Sequence, residues 1–146
     1  MPTFQPQDPH FESRVRASFA RQTVMATIGA TLTKVLPGEV EIVLPFRSDL
    51  AQQDGYLHAG IVTTIVDSAC GYAAFSLMSV DAAVLTVEYK VNFLAPAQGE
   101  RLIARGRVTK AGRTLTVGSG DVFAVRGDQE HMVATMLATM MALQGR

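Results

Sequence analysis

The chain has one cysteine, no tryptophan, three histidines and no excess of charge of either sign. Each shortage removes a class of function. A lone thiol, Cys70, has no partner for an intrachain disulfide, which suits a reducing compartment and makes the cytoplasm the expected location. Thirteen basic and thirteen acidic side chains cancel, leaving no overall field to hold nucleic acid or an anionic membrane. His10, His58 and His131 are scattered, with no H-E-x-x-H or paired-cysteine spacing, so no metal site is expected. A G-x-S-x-G nucleophile elbow, a P-loop and a dinucleotide-binding glycine pattern are also missing. The first 22 residues contain prolines and charges but no apolar run of signal-peptide type.

What remains is a 146-residue chain, long enough for one substantial core, read as a single domain over 1–146. Residues 1–22 form an N-terminal helical extension in this reading: Phe11, Val15 and Phe19 recur at four-residue spacing among charges, after a helix start at Asp8-Pro9. Two β segments, 27–36 and 39–46, flank the turn signal Pro37-Gly38 and predict a hairpin. Residues 61–78 are apolar or small almost throughout. The stretch is barely long enough for a bilayer and carries Asp67 near its middle, so it predicts a helix buried inside the protein. Beyond it Leu85, Val87, Tyr89, Val91 and Phe93 alternate with Thr86, Glu88, Lys90 and Asn92, the pattern of a half-buried strand. Three more β runs follow at 101–109, 115–125 and 132–143, with Met132, Met136, Met140 and Met141 as expected core filler. The fold class is therefore α+β, an antiparallel sheet wrapped around one long helix that is apolar nearly all round.

Asp67 is the only formal charge between His58 and Asp81. Burial of a lone carboxylate costs several kcal/mol, so it needs either a hydrogen-bond partner or a solvent-reached cleft. The loop before the helix, Gln52 to Gly60, leads into a helix start, where unpaired N–H groups and the positive end of the helix dipole can polarise a carbonyl and hold an oxyanion. Gly60 leaves room there for a ligand chain, and His58 is either a base or a structural side chain bonded within the loop. Ala59 and Asp67 are eight residues apart, about 12 Å at the helical rise. If both act on one carbonyl, the site is shared between two chains, and at least a homodimer is implied. Cys70 lies on nearly the same helix face as Asp67, where core filler competes with a nucleophile as its role. Lys110 and Arg113 flank the Gly112 turn within a basic group that includes Arg101, Arg105 and Arg107. That group is either a solvated sheet face or a phosphate-holding turn.

The run Leu57-His58-Ala59-Gly60, then Val66-Asp67-Ser68-Ala69, Tyr89 through Ala97, and Val108 through Leu115, resembles the PaaI-like branch of the hot-dog acyl-CoA thioesterases over roughly 29–143. The resemblance implies hydrolysis of an acyl- or aryl-CoA thioester to free acid and CoA. Asp67 would act as nucleophile or general base, and the Ala59 amide would polarise the carbonyl. Ala59 stands where the family usually has the first glycine of His-Gly-Gly. Gln52, or Gln53 if the loop register is shifted by one, matches an Asn or Gln that orients thioester or water. Thr86 matches a Ser or Thr that assists the water in some members. CoA is part of the substrate, so no separate cofactor is implied. Its nucleotide would lie near basic turns, with Lys110 and Arg113 as candidates. Homodimers of this branch pair into homotetramers, for which the face bearing Thr86, Glu88, Lys90 and Asn92 is one expected contact. Tyr56, Thr63, Thr64, Tyr72 and Phe75 are candidates for sizing the acyl group. The competing reading is a non-catalytic hot-dog module that binds acyl-CoA or another apolar ligand. A hydratase would need a D-x-N-P-x-H type segment, and none is found.

Overall fold

The computed structural model describes residues 3–145. Helices α1 (Phe11–Arg21) and α2 (Thr23–Ile28) precede strands β1 (Thr31–Leu36) and β2 (Glu39–Pro45). A short 3₁₀ turn at Ser48–Leu50 and a loop lead to α3 (Ala59–Phe75). Strands β3 (Ala83–Phe93), β4 (Arg101–Ala111), β5 (Leu115–Arg126) and β6 (Gln129–Leu143) complete one six-stranded antiparallel sheet in the order β1-β2-β4-β5-β6-β3. This is the expected α+β hot-dog architecture.

The first β segment is shorter than its sequence suggests. Thr27 and Ile28 end α2, which buries Met25 and Ile28, and Gly29 closes it in a left-handed conformation at φ 84°. Apolar spacing over so short a stretch does not separate a helical turn from a strand. Pro37-Gly38 turns the β1–β2 hairpin as expected, with Gly38 at φ 76° and its N–H bonded 2.8 Å from the buried Ser76 hydroxyl.

Helix α3 lies on the sheet with almost no side chain between backbones at one point. A Cβ at Gly106 of β4 would run into the Ala69 backbone, and one at Gly120 of β5 would meet Val66 and Cys70. Ile65, Val66, Ala69 and Ala73 have no exposed surface, and Met136 and Met140 of β6 fill the core. Met132 does not: it is exposed, near the bulge at Val122/Phe123 that alters the strand pairing. No helix among the described residues is long and apolar enough to cross a membrane.

The far end of α3 is held by the N-terminal extension. The Arg14 guanidinium donates to the carbonyls of Phe75, Met78 and Ser79 at 2.8–3.0 Å, pairs with Asp8 at 3.1 Å and stacks 4.5 Å over the Phe75 ring. A cation there satisfies carbonyls at and beyond the helix end and complements the dipole.

The half-buried strand expected at residues 85–93 is corrected in two ways. In the single chain β3 is the sheet edge, and Leu85, Val87, Tyr89 and Phe93 are exposed. A bulge between Thr86 and Glu88 also changes the alternation: Leu85 pairs with Met141 and Thr86 with Met140, but Glu88 pairs with Thr139 and Tyr89 with Ala138. Met140 and Ala138 are buried, so Thr86 shares the helix side with Tyr89, Val91 and Phe93. Glu88, Lys90 and Asn92 share the outer side with Leu85. The expected polar face of Thr86, Glu88, Lys90 and Asn92 therefore does not exist as a unit.

Candidate active site

Helix α3 is apolar on most of its circumference, but Gly60, Thr63, Thr64, Asp67 and Gly71 form a partly open stripe at three- and four-residue spacing. The Thr63 and Thr64 hydroxyls donate back to the Ala59 and Gly60 carbonyls, so the one charge on the stripe is Asp67. Thr86 Oγ1 donates to Asp67 Oδ1 at 2.8 Å. Burial pushes the Asp67 carboxyl above its ordinary value, and the Thr86 hydrogen bond opposes that rise.

Asp67 and Thr86 line a cavity of about 310 Å³ whose other walls come from α1, the α1–α2 junction, the rest of α3 toward Phe75 and the start of β3. Gln22 at that junction donates to the Ser68 hydroxyl at 3.2 Å, and Ser18 and Tyr72 hydroxyls are 3.2 Å apart. Ser18, Arg21, Gln22 and Ser68 were not singled out from the sequence. The only available signal was that α1 is amphipathic, and amphipathicity does not say what a helix covers.

At the start of α3 the backbone donors can be counted. His58 is the N-cap: its Nδ1 accepts the Gly60 N–H at 2.8 Å, and its carbonyl accepts from Ile61 and Val62 at 2.9 and 3.2 Å. This places the Nδ1 lone pair on the helix and makes His58 a structural cap. The Ala59 N–H is left with no acceptor among the described residues, at the positive end of the helix. Ala59 lines a second cavity, about 410 Å³, with Gln52, Tyr56 and Phe93. The Gln52 side-chain oxygen, Oε1, accepts from the Asp54 and Tyr56 backbone N–H groups at 2.6 and 3.2 Å, which fixes the loop. Gln53 is exposed and bonds only its neighbour Asp54, at 3.3 Å. Ala59, Gly60 and Asp67 meet along one open groove between α3 and β3, separated by two turns of helix, about 12 Å.

The remaining candidates lie elsewhere. Cys70 is buried against Gly120, and desolvation, with the Asp67 charge adding to it, pushes its thiol up to about 12, so it is packing. Arg105 and Arg107 are engaged by Glu41, Glu130 and Asp121 on the sheet. Lys110 and Arg113 are exposed at the β4–β5 turn, and Arg113 adjoins Leu77 and Met78 beyond the end of α3 opposite Ala59. Neither lines the cavities that hold Asp67 or Ala59. Among the described residues no group of three or more His, Cys, Asp or Glu side chains gathers as a metal site.

The family model of the Thioesterase superfamily matches residues 54–130, which spans the Asp54 turn, all of α3 and β3, and β4 and β5. The crystal structure of a thioesterase family protein from Silicibacter pomeroyi is 59% identical, with a TM-score of 0.91 over 92% of this chain and 99% of that one. A Halobacterium salinarum protein named as a provisional esterase is 31% identical over 99 residues, 64% of this chain and 65% of its own length. The Escherichia coli PaaI protein from the phenylacetic acid degradation operon shares the fold, with a TM-score of 0.84 over 95% of this chain and 97% of its own at 16% identity. More than half of the chain lies under the family model, the sheet order and buried helix agree with it, and the chain belongs to the thioesterase superfamily with a PaaI-like hot-dog fold.

Proposed function

We propose that the protein hydrolyses a small acyl- or aryl-CoA thioester to the free acid and CoA, with Asp67 as general base and the Ala59 amide as oxyanion donor. One observation carries this reading: a half-buried mid-helix carboxylate, held by Thr86, opens onto a cavity, while one helix-start amide has no acceptor among the described residues. Asp67 takes a proton from water as the water oxygen bonds to the thioester carbonyl carbon. The negative charge on the former carbonyl oxygen is met by the Ala59 N–H. As that charge collapses, the carbon–sulfur bond breaks, and the CoA thiolate leaves and takes up the proton. A carboxyl raised by burial is the better proton acceptor, as a general base requires.

The two groups serve one carbonyl only across a pair of chains, because they are about 12 Å apart on one helix. In a homodimer, Asp67 of one chain faces Ala59 and Gln52 of the other. The unpaired edge of β3, with Tyr89 and Phe93 exposed on its helix side, is the surface offered for such pairing. Dimers pair into a homotetramer through the outer sheet face, where Leu85, Leu115, Val117 and Leu137 are 44–64% exposed. The exposed Lys110 and Arg113 side chains, neither with an ion-pair partner among the described residues, take the CoA phosphates. The working location is the cytoplasm, in keeping with the single thiol.

The test is thiol release from a panel of acyl- and aryl-CoA thioesters by wild type and Asp67→Ala. Hydrolysis by the wild type that falls at least a hundredfold in the variant is expected. Undiminished turnover in Asp67→Ala overturns the mechanism, and tight binding without turnover by wild type identifies a non-catalytic acyl-CoA module instead.

A further inference from the structure

The cavity beside Asp67 has a feature that hydrolysis as such does not require. Asp67, Gly71 and Phe75 lie along its α3 wall at four-residue spacing, so the space follows the helix away from the carboxylate. A Cβ added at Gly71 would meet nothing within 4 Å, so the missing side chain is what leaves this space open. Its lining mixes aromatic and polar residues: Phe75 and Tyr72, with Ser18 and Arg21 beside them and the Ser18 and Tyr72 hydroxyls 3.2 Å apart. Tyr72 is five residues beyond Asp67, about 7.5 Å along the helix. Burial raises the Tyr72 hydroxyl above its ordinary value, and the Ser18 hydrogen bond and then the Arg21 charge work against that rise. Arg21 has no carboxylate partner among the described residues; Arg101, Arg113 and Arg126 have none either, but of these four only Arg21 lines this cavity.

We propose that this cavity is the acyl subsite and that Arg21, with the Ser18 and Tyr72 hydroxyls, selects compact acyl groups whose far end carries a carboxylate. The assignment rests on the thioesterase reading for the placement of the thioester at Asp67. A volume of about 310 Å³ is at the small end of ligand sites and suits a compact acyl group. An unpaired guanidinium matches a carboxylate by charge-assisted hydrogen bonds, which a purely apolar chain cannot accept.

The experiment compares adipyl-CoA with heptanoyl-CoA, of similar size without the carboxylate, by kcat/KM and by affinity for their non-hydrolysable thioether analogues. Wild type is expected to favour the carboxylate-ended member about tenfold in both readouts, a modest ratio because Arg21 is solvent-reached. Arg21→Gln brings the ratio near unity, and Arg21→Lys restores part of it. Gly71→Leu fills the subsite and lowers turnover of both substrates relative to acetyl-CoA. A wild-type preference for heptanoyl-CoA, or a ratio unmoved by Arg21→Gln, overturns the subsite while leaving thioester hydrolysis standing. Analogue affinities that show the preference in a protein that cleaves neither thioester keep the subsite and overturn the enzymatic reading.

Discussion

Thr86 Oγ1 sits 2.8 Å from Asp67 Oδ1 because β3 bulges at Val87. Without the bulge, strand alternation puts Thr86 on the outer face with Glu88 and Lys90, and the carboxylate loses its hydrogen-bond donor.

Thr86→Val removes the only hydrogen bond given to Asp67 among the described residues and leaves burial unopposed. The Asp67 carboxyl rises further, so the acid limb of the pH–rate profile moves to higher pH, and turnover at neutral pH falls about tenfold. A pH–rate profile of the variant checks both. An unmoved acid limb separates Thr86 from Asp67 in function.

The same raised carboxyl has a stability consequence. The folded state binds the Asp67 proton more tightly than the unfolded chain, so its contribution is greatest below the ordinary carboxylate value and is lost as pH rises through the raised folded value. Asp67→Asn is therefore expected to unfold at a higher Tm than wild type near neutral pH, with the difference shrinking as the solution is acidified. Thermal melts across that range read the sign directly.

Arg14→Met keeps the apolar stem but leaves three carbonyls and Asp8 without their cation. A loss of about 2–4 kcal/mol is expected from urea unfolding, because the partners lie in a mostly buried pocket. An equal loss in Arg16→Met, whose Glu12 pair is exposed, would mean that the extension matters only as a helix.

Gly106→Ala should be among the least tolerated single changes in the chain. The added methyl group has only the Ala69 backbone to displace, which means moving α3 off the sheet. A cost of about 3 kcal/mol or more is expected, read by denaturant melts. Gly71→Ala, into open space on the same helix, is expected to be neutral or slightly stabilising.

Shared sites predict complementation. Subunits carrying Asp67→Ala mixed with subunits carrying Gln52→Ala regain activity that neither homodimer has, while Gln53→Ala alone is near wild type because Gln53 points to solvent. Separately, the proposed tetramer predicts that Leu137→Glu on the outer sheet face yields active dimers in sedimentation analysis.

Periodicity along the chain was enough to read the α+β class, the buried α3 and the run of late strands. Their apolar patterns are long, and nothing nearby competes with them. The spacing of Ala59 and Asp67 on one helix likewise follows from chain geometry, and with it the argument for two chains. Three features were decided only by the tertiary structure. Thr86 reaches Asp67 through a bulge, and a one-residue slip leaves no mark in an alternating pattern. His58 caps α3 because the path of the loop puts Nδ1 over the Gly60 amide. Gln22, Ser18 and Arg21 wall the Asp67 cavity because α1 and α2 fold back over α3, a contact between segments some fifty residues apart. Local pattern records which face of an element is apolar. Which other element covers that face is settled by long-range packing, and the candidate site is built where those elements meet.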